Sequence, residues 1–354
     1  MKRTKAVRKL LADYNIDSFL VTKEQNWRYL SGFTGSNALL IFNVTDNYLI
    51  TDFRYLEQAA DQVKDFHIIR PKTVIEDAMA EQLTKLGVKR VGFEDDGLTY
   101  HAFKSYQQKL PGIELVPLHQ QVEKIRWIKE QTEIKDIKKA ADIADRAFDH
   151  ILDYIKPGVR ESEIALELEY FMRRQGAERP AFDIIVASGP RAALPHGVAS
   201  DKKIAVGEFI VMDFGAVFGG YHSDMTRTVV VGKPDPEQAE IYHIVLAAQE
   251  KALQSIKSGV KCSTVDLTAR GLITAAGYGA NFGHGLGHSV GLEIHEKPVF
   301  APRDETTLEP GMVLTVEPGI YLAGRFGVRI EDLVLVSSEG CDILSKSPKQ
   351  LIRL

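Results

Sequence analysis

Cysteine is almost missing: Cys262 and Cys341 are the only two in 354 residues. That excludes a disulfide framework and fits a reducing, cytoplasmic compartment. A surplus of positive charge is missing too. Lys+Arg total 44 against 48 Asp+Glu, a formal net charge of −4, so nucleic acid is not expected as a partner. No uncharged apolar run reaches the roughly 18 residues of a membrane span, and no membrane association is expected. The stretch MKRTKAVRKLLADYNIDSF is basic, but Asp13, Asn15 and Asp17 interrupt its apolar positions, so it does not read as a secretory signal. What is present is ordinary for a soluble globular chain: 44% hydrophobic and 26% charged residues, 28 Gly and 14 Pro. Such values exclude collagen-like and wholly disordered chains, and the length suggests two domains at about 150 residues each.

The first part opens with an amphipathic helix, because Val7, Leu10, Leu11 and Tyr14 recur at i, i+3, i+4 and i+7. Strand-like runs follow at Phe19 to Thr22, Ala38 to Asn43 and Tyr48 to Thr51, with helical stretches at Tyr55 to Val63 and Thr73 to Leu86. This alternation reads as a small α/β domain. Past Leu118 to Trp127 the pattern changes to a long helix carrying Ile134, Ile137, Ala141, Ala144, Phe148, Ile151 and Ile155. The expected domains are therefore 1–124 and 125–354. Lys135, Lys138 and Lys139 fall on that helix's solvated face, so their clustering does not indicate a binding patch.

From there the chain repeats itself. Ile155-Lys156-Pro157-Gly158-Val159-Arg160 echoes Ile256-Lys257-Ser258-Gly259-Val260-Lys261, an offset of 101. Val206 through Gly215 echoes Pro310 through Gly319, an offset of 104. Two halves with the same order of helices and strands imply a pseudo-two-fold α/β (α+β) domain, sheet on one side and helices outside, with a site at the shared axis. Each echoed strand ends in an acid. Asp213 closes the apolar run Phe209 to Met212, and Asp224 follows after the Gly219-Gly220 turn, so a simple hairpin would set the two aspartates directly opposite each other. Glu317 and Glu331 are likewise centred on Gly324. An acid beside a turn is ordinarily just solvated, but two symmetric pairs after apolar strands are not. Like charges opposed on a sheet repel, and protons or divalent cations must neutralise them.

Imidazoles come from Gly283-His284-Gly285-Leu286-Gly287-His288-Ser289-Val290-Gly291-Leu292-Glu293-Ile294-His295, where three of the ten histidines cluster. The interleaved glycines allow close approach of backbone and substrate, yet they match no phosphate-loop pattern. The cysteines lie too far apart for a zinc finger. Asp213-Phe214-Gly215 lacks the rest of a kinase signature, and no G-x-S-x-G marks a serine hydrolase. Four carboxylates and one imidazole make a hard, oxygen-rich set that favours manganese or cobalt. They suffice for two ions about 3.5–4 Å apart, which would acidify a shared water and polarise a carbonyl.

Asp213 and Asp224 in MDFGAVFGGYHSDMTRT, His288 in GHGLGHSVGLEIHE, Glu317 in VEPGIY and Glu331 in GVRIEDLVLV resemble the aminopeptidase P/prolidase family of pita-bread metallopeptidases. The resemblance spans nearly the whole chain, with the first 120 or so residues similar to that family's N-terminal domain. It implies that Asp213 holds one metal ion, that His288 and Glu317 hold the other, and that Asp224 and Glu331 bridge both. It also implies catalytic roles for His196, His295 and Glu317 and substrate contacts for His284 and Arg329. Arg329, two residues before Glu331 on the same strand face, is suited to hold a carboxylate or orient that ligand.

The implied reaction is hydrolysis of the bond between an N-terminal residue and proline, in proline-containing di- or oligopeptides, by a homodimer. The tight Gly324 hairpin and the short chain favour a dipeptidase over an aminopeptidase acting on longer peptides. A methionine aminopeptidase normally lacks so large an N-terminal domain, and creatinase lacks the metal ligands. A non-catalytic binding module is disfavoured by the complete ligand set and the absent basic surplus.

Overall fold

The computed structural model describes residues 2–354, which divide into two units, one ending at Arg126 and the other Trp127–Leu354. In the first, α1 (Lys2–Asp13), α2 (Glu24–Ser31), α3 (Leu56–Gln62), α4 (Ile75–Lys85), α5 (Tyr100–Lys109) and α6 (Gln121–Arg126) accompany a six-stranded sheet. Its strands are β1 (Ser18–Val21), β2 (Ala38–Phe42), β3 (Asn47–Thr51), β4 (His67–Ile69), β5 (Arg90–Glu94) and β6 (Glu114–Leu118), in the order β4-β3-β2-β1-β5-β6. The β1–β2 and β2–β3 pairs are antiparallel, and the others parallel. Val7, Leu10 and Leu11 are buried as their spacing predicts, but Tyr14 is 38% exposed. The helix ends at Asp13, and Asn15 turns through a positive φ of 50°. Ile16, not Tyr14, then continues the buried face.

The second unit contains the repeat. Its first half holds α7 (Gln131–Tyr154), α8 (Glu161–Arg174) and strands β7 (Arg179–Pro180), β8 (Ile185–Ser188), β9 (Phe209–Phe214), β10 (Ala216–Phe218), β11 (Tyr221–His222) and β12 (Met225–Val230). The second half holds α9 (Pro236–Ser255), α10 (Cys262–Ala275), β13 (Gly287–Ser289), β14 (Glu296–Phe300), β15 (Val313–Val316), β16 (Gly319–Leu322), β17 (Phe326–Arg329), β18 (Asp332–Val336) and β19 (Cys341–Ile343). The seven apolar positions predicted along α7 and just beyond it are all buried. Ala144, Phe148, Ile151 and Ile155 join one core with β8, β9 and β12, while α9 and α10 pack a second core against β15 and β18.

Local hydrogen bonds reproduce the repeat at its two offsets. Gly158 N donates to Ile204 O at 2.8 Å, and Gly259 N donates to Leu308 O at 2.9 Å. An isolated bridge joins Arg160 to Lys203 in one half and Lys261 to Thr307 in the other. The halves meet where β12 runs beside the end of β17 and the residues that follow it. Glu331 N donates to Thr226 O at 3.1 Å, and Thr228 Oγ1 donates to Arg329 O at 2.9 Å. No helix among the described residues is long and apolar enough to cross a membrane.

Candidate active site

The two acidic strands place their carboxylates by different registers. In the second half, Val316 faces Asp332 and Gly319 faces Arg329, so the common register sets Glu317 against Glu331. In the first half the expected pairing of Asp213 with Asp224 does not hold: Asp213 faces Thr226. The turn centres between Gly219 and Gly220, whose φ values of 58° and 82° are both positive, and Phe218 faces Tyr221. Two consecutive positive-φ residues make a two-residue hairpin turn of the primed type, which moves the register by two positions. Asp224 thus sits diagonally from Asp213, where β12 begins. Gly215 permits this, because a Cβ there would lie 1.8 Å from Ser223 O.

Ligand oxygens of Asp213, Asp224 and Glu331 nevertheless lie within 4.8 Å of one another. His288 Nε2 lies 3.5 Å from both Asp224 Oδ2 and Glu317 Oε1. These contacts are not ion pairs. Burial, then His295, pushes the His288 imidazole down to about 4. Its Nδ1 lies 3.1 Å from Ser289 O, so the neutral ring donates there and leaves the Nε2 lone pair free. Burial, then Glu331, Asp213 and Glu317, holds the Asp224 carboxyl well above the usual range. Burial does the same to Glu331 and pushes Glu317 to about 8.

Neighbours sort the remaining lone pairs. Thr226 Oγ1 donates to Glu331 Oε2 at 2.7 Å, and Thr315 Oγ1 donates to Glu317 Oε1 at 3.2 Å. Arg329 is held from all sides. Its Nη2 pairs with Asp213 Oδ2 at 2.5 Å, its Nη1 donates to Pro195 O and Tyr321 Oη, and its Nε donates to Thr226 Oγ1. Though burial opposes its charge, Tyr321, Asp213 and Glu317 hold the Arg329 guanidinium firmly protonated. His284 Nε2 lies 2.9 Å from Tyr321 Oη, and burial pushes this ring down to about 4. Behind the cluster the fully buried Arg227 donates to Glu331 O and pairs with Asp332 at 2.8 Å.

A fit test for divalent cations comes from what is left over. Asp213 Oδ1, Asp224 Oδ1 and Glu331 Oε1 are buried without a hydrogen-bond partner. Unpaired buried carboxylate oxygens are costly, and the three residues that carry them bring ligand oxygens within 4.8 Å of one another, a hard donor set that suits such ions.

Eight of the nine residues singled out in the sequence line one cavity of about 580 Å³, namely His196, Asp213, Asp224, His284, His288, His295, Glu317 and Arg329. Glu331 lies beneath, 1% exposed. Phe182, Ile185, Val198, Ile294 and Val299 add apolar walls. Sequence reasoning missed Thr226 and Tyr321. Thr226 had a signal, since it shares a strand face with Asp224. Tyr321 faces Gly327 in the β16–β17 hairpin, which brings it diagonally against Arg329.

Fold and site together define a metallopeptidase. Residues 135–338 match Metallopeptidase family M24, and residues 3–128 match the Creatinase/Prolidase N-terminal domain. The chain belongs to family M24 and is a metallo-exopeptidase. It is 40% identical to a protein of Pyrococcus horikoshii named Xaa-Pro dipeptidase, over 99% of each chain. A solved structure titled Xaa-Pro dipeptidase from Bacillus anthracis superimposes with a TM-score of 0.98 at 48% identity, covering 100% of this chain and 99% of that one. Another, an X-Pro aminopeptidase from Thermotoga maritima, gives 0.93 at 39% identity, covering 99% of this chain and 100% of that one.

Proposed function

We propose that the enzyme is an Xaa-Pro dipeptidase, hydrolysing the peptide bond between an N-terminal residue and proline. The observation that carries this is the buried carboxylate cage with orphaned oxygens opening onto a cavity of about 580 Å³ with apolar walls. That volume suits a small substrate. Support also comes from proteins of that name at 40% and 48% identity over almost the full length.

Asp213, Asp224, His288, Glu317 and Glu331 would hold two divalent cations, manganese or cobalt, which when bound acidify a water and polarise the scissile carbonyl. Glu317 takes the proton released as that water attacks and delivers it to the proline nitrogen, a poor leaving group until protonated. His295 and His196 donate hydrogen bonds to the oxygen on which negative charge develops. His284 contacts substrate from the cavity wall. Arg329 orients Asp213, and Phe182, Ile185 and Val198 offer apolar surface to the proline ring.

One observation favours a second reading, an aminopeptidase acting on longer peptides. Arg329 is the only Arg or Lys among the described residues lining the cavity, and its Nε, Nη1 and Nη2 are all bonded within the protein. No permanent cation is therefore left for a dipeptide's carboxylate. A cleavage panel of Xaa-Pro, Xaa-Pro-Yaa and Met-Ala-Yaa peptides with Mn²⁺ or Co²⁺ separates the cases. Cleavage of the first alone means dipeptidase, of the second aminopeptidase P, of the third methionine aminopeptidase. Cleavage of none refutes the proposal. A homodimer, checked by light scattering, and a cytoplasmic location, in keeping with two free thiols, complete the reading.

A further inference from the structure

The six residues 290–295 join β13 to β14 and thus link His288 to His295. The loop is short on regular hydrogen bonds and is folded around one carboxylate. Glu296 Oε1 accepts from Glu293 N at 3.2 Å. The same oxygen lies so near Gly291 that a Cβ there would approach it to 2.5 Å, so a larger residue would displace the carboxylate. Glu296 Oε2 pairs with Lys129 Nζ at 3.0 Å, and the two side chains are 1% and 6% exposed. Lys129 lies in the short connection between α6 and α7, where its own N–H donates to Gly311 O at 2.9 Å. A second anchor comes from buried His222, whose backbone N donates to Gly291 O at 2.9 Å, with Nδ1 3.0 Å from the same oxygen.

We infer that Lys129 and Glu296 are positioning residues, a buried ion pair that sets the shape of this loop and through it the placement of His295. His295 is bonded directly to Glu296 in the chain, lines the cavity, and stands 4.4 Å from the His288 ring, centroid to centroid. A carboxylate buried under the loop needs a counterion, and the ammonium of Lys129, 3.0 Å away, helps to hold it there. Rearrangement there would displace Ile294 and His295, the two loop residues that line the cavity. The inference rests on the proposed role of His295 in contacting the reacting carbonyl.

A merely structural ion pair would affect stability alone, so the test is a double-mutant cycle. Lys129→Met by itself strands a buried charge and risks misfolding. The neutral double variant Lys129→Met/Glu296→Gln keeps volume and the acceptor for Glu293 N–H. With Xaa-Pro substrate, its kcat is expected to fall about tenfold or more at unchanged metal content, as misplacement of a reacting-site group does. On a His295→Ala background the same double substitution should cost less than about twofold, because coupled residues do not add. An unchanged kcat, or an equal loss in both backgrounds, overturns the inference. Should no Xaa-Pro peptide be cleaved by the wild type, the functional reading fails separately. The loop claim then stands or falls on the His295 imidazole resonance of the zinc-loaded protein, which must shift in the double variant.

Discussion

Removing and restoring divalent cations should change stability as well as activity. Three buried carboxylate oxygens, on Asp213, Asp224 and Glu331, lack any partner, so a cation that satisfies them binds the native state and not the unfolded chain. At a free concentration of about one hundred times its Kd such an ion stabilises by about 2.7 kcal/mol. For a domain the size of Trp127–Leu354, each kcal/mol raises Tm by about 2–4 °C. Scanning calorimetry on chelator-treated protein, with and without Mn²⁺ or Co²⁺, should therefore show a rise of about 5–10 °C. Asp224→Asn removes a carboxyl whose ionisation burial and its acidic neighbours oppose. Its metal-free Tm should be no lower than the wild type's, its metal-induced rise should shrink or vanish, and turnover should be lost. Equal Tm values with and without ions, or a full rise in Asp224→Asn, would refute the cage.

Arg329→Met leaves the Asp213 carboxylate buried without its partner and should cost about 3–5 kcal/mol, read from the denaturant midpoint. Arg329→Lys should not restore it, because one ammonium cannot reach the four acceptors the guanidinium bonds. His295→Ala should keep its metal and lose about 10²–10³ in kcat; loss of ions on dialysis would mean that it is a ligand. Burial pushes the Cys262 thiol up to about 12 and the Cys341 thiol up to about 11. A raised pKa means less thiolate, so both should resist a disulfide reagent at pH 8 until denaturant is added, and a prompt native reaction would contradict the packing. Asp235→Ala deletes the side chain that accepts from Gln238 N at 2.8 Å at the start of α9. It should cost about 1 kcal/mol, again by denaturant midpoint.

Much of the site could be read before any coordinates, because strand periodicity assigns each residue to a face. Arg329 and Glu331, two apart, had to share one, and the apolar runs before Asp213 and Glu317 marked both acids as buried. The repeat was legible for the same reason: glycines at matching positions, such as Gly158 and Gly259 with φ of 92° and 85°, mark identical turns. Register was harder. Placing Asp213 opposite Asp224 assumed a turn centred one residue short of the Gly219–Gly220 midpoint. A Gly-Gly pair is itself a signal for the turn observed, and using it would have put Thr226 across from Asp213.

Composition, periodicity and repeated motifs thus determined that this chain has an α/β N-terminal part and a duplicated second part, and which residue types are available for hydrolytic chemistry. Contacts between segments more than one hundred residues apart were left to the tertiary structure. Arg329 reaching Asp213, Thr226 bonding Glu331 and Lys129 pairing with Glu296 depend on how the halves and the connecting segment pack. Local pattern specifies which way a side chain points from its own backbone. What that side chain meets is decided only when a distant backbone is packed against it.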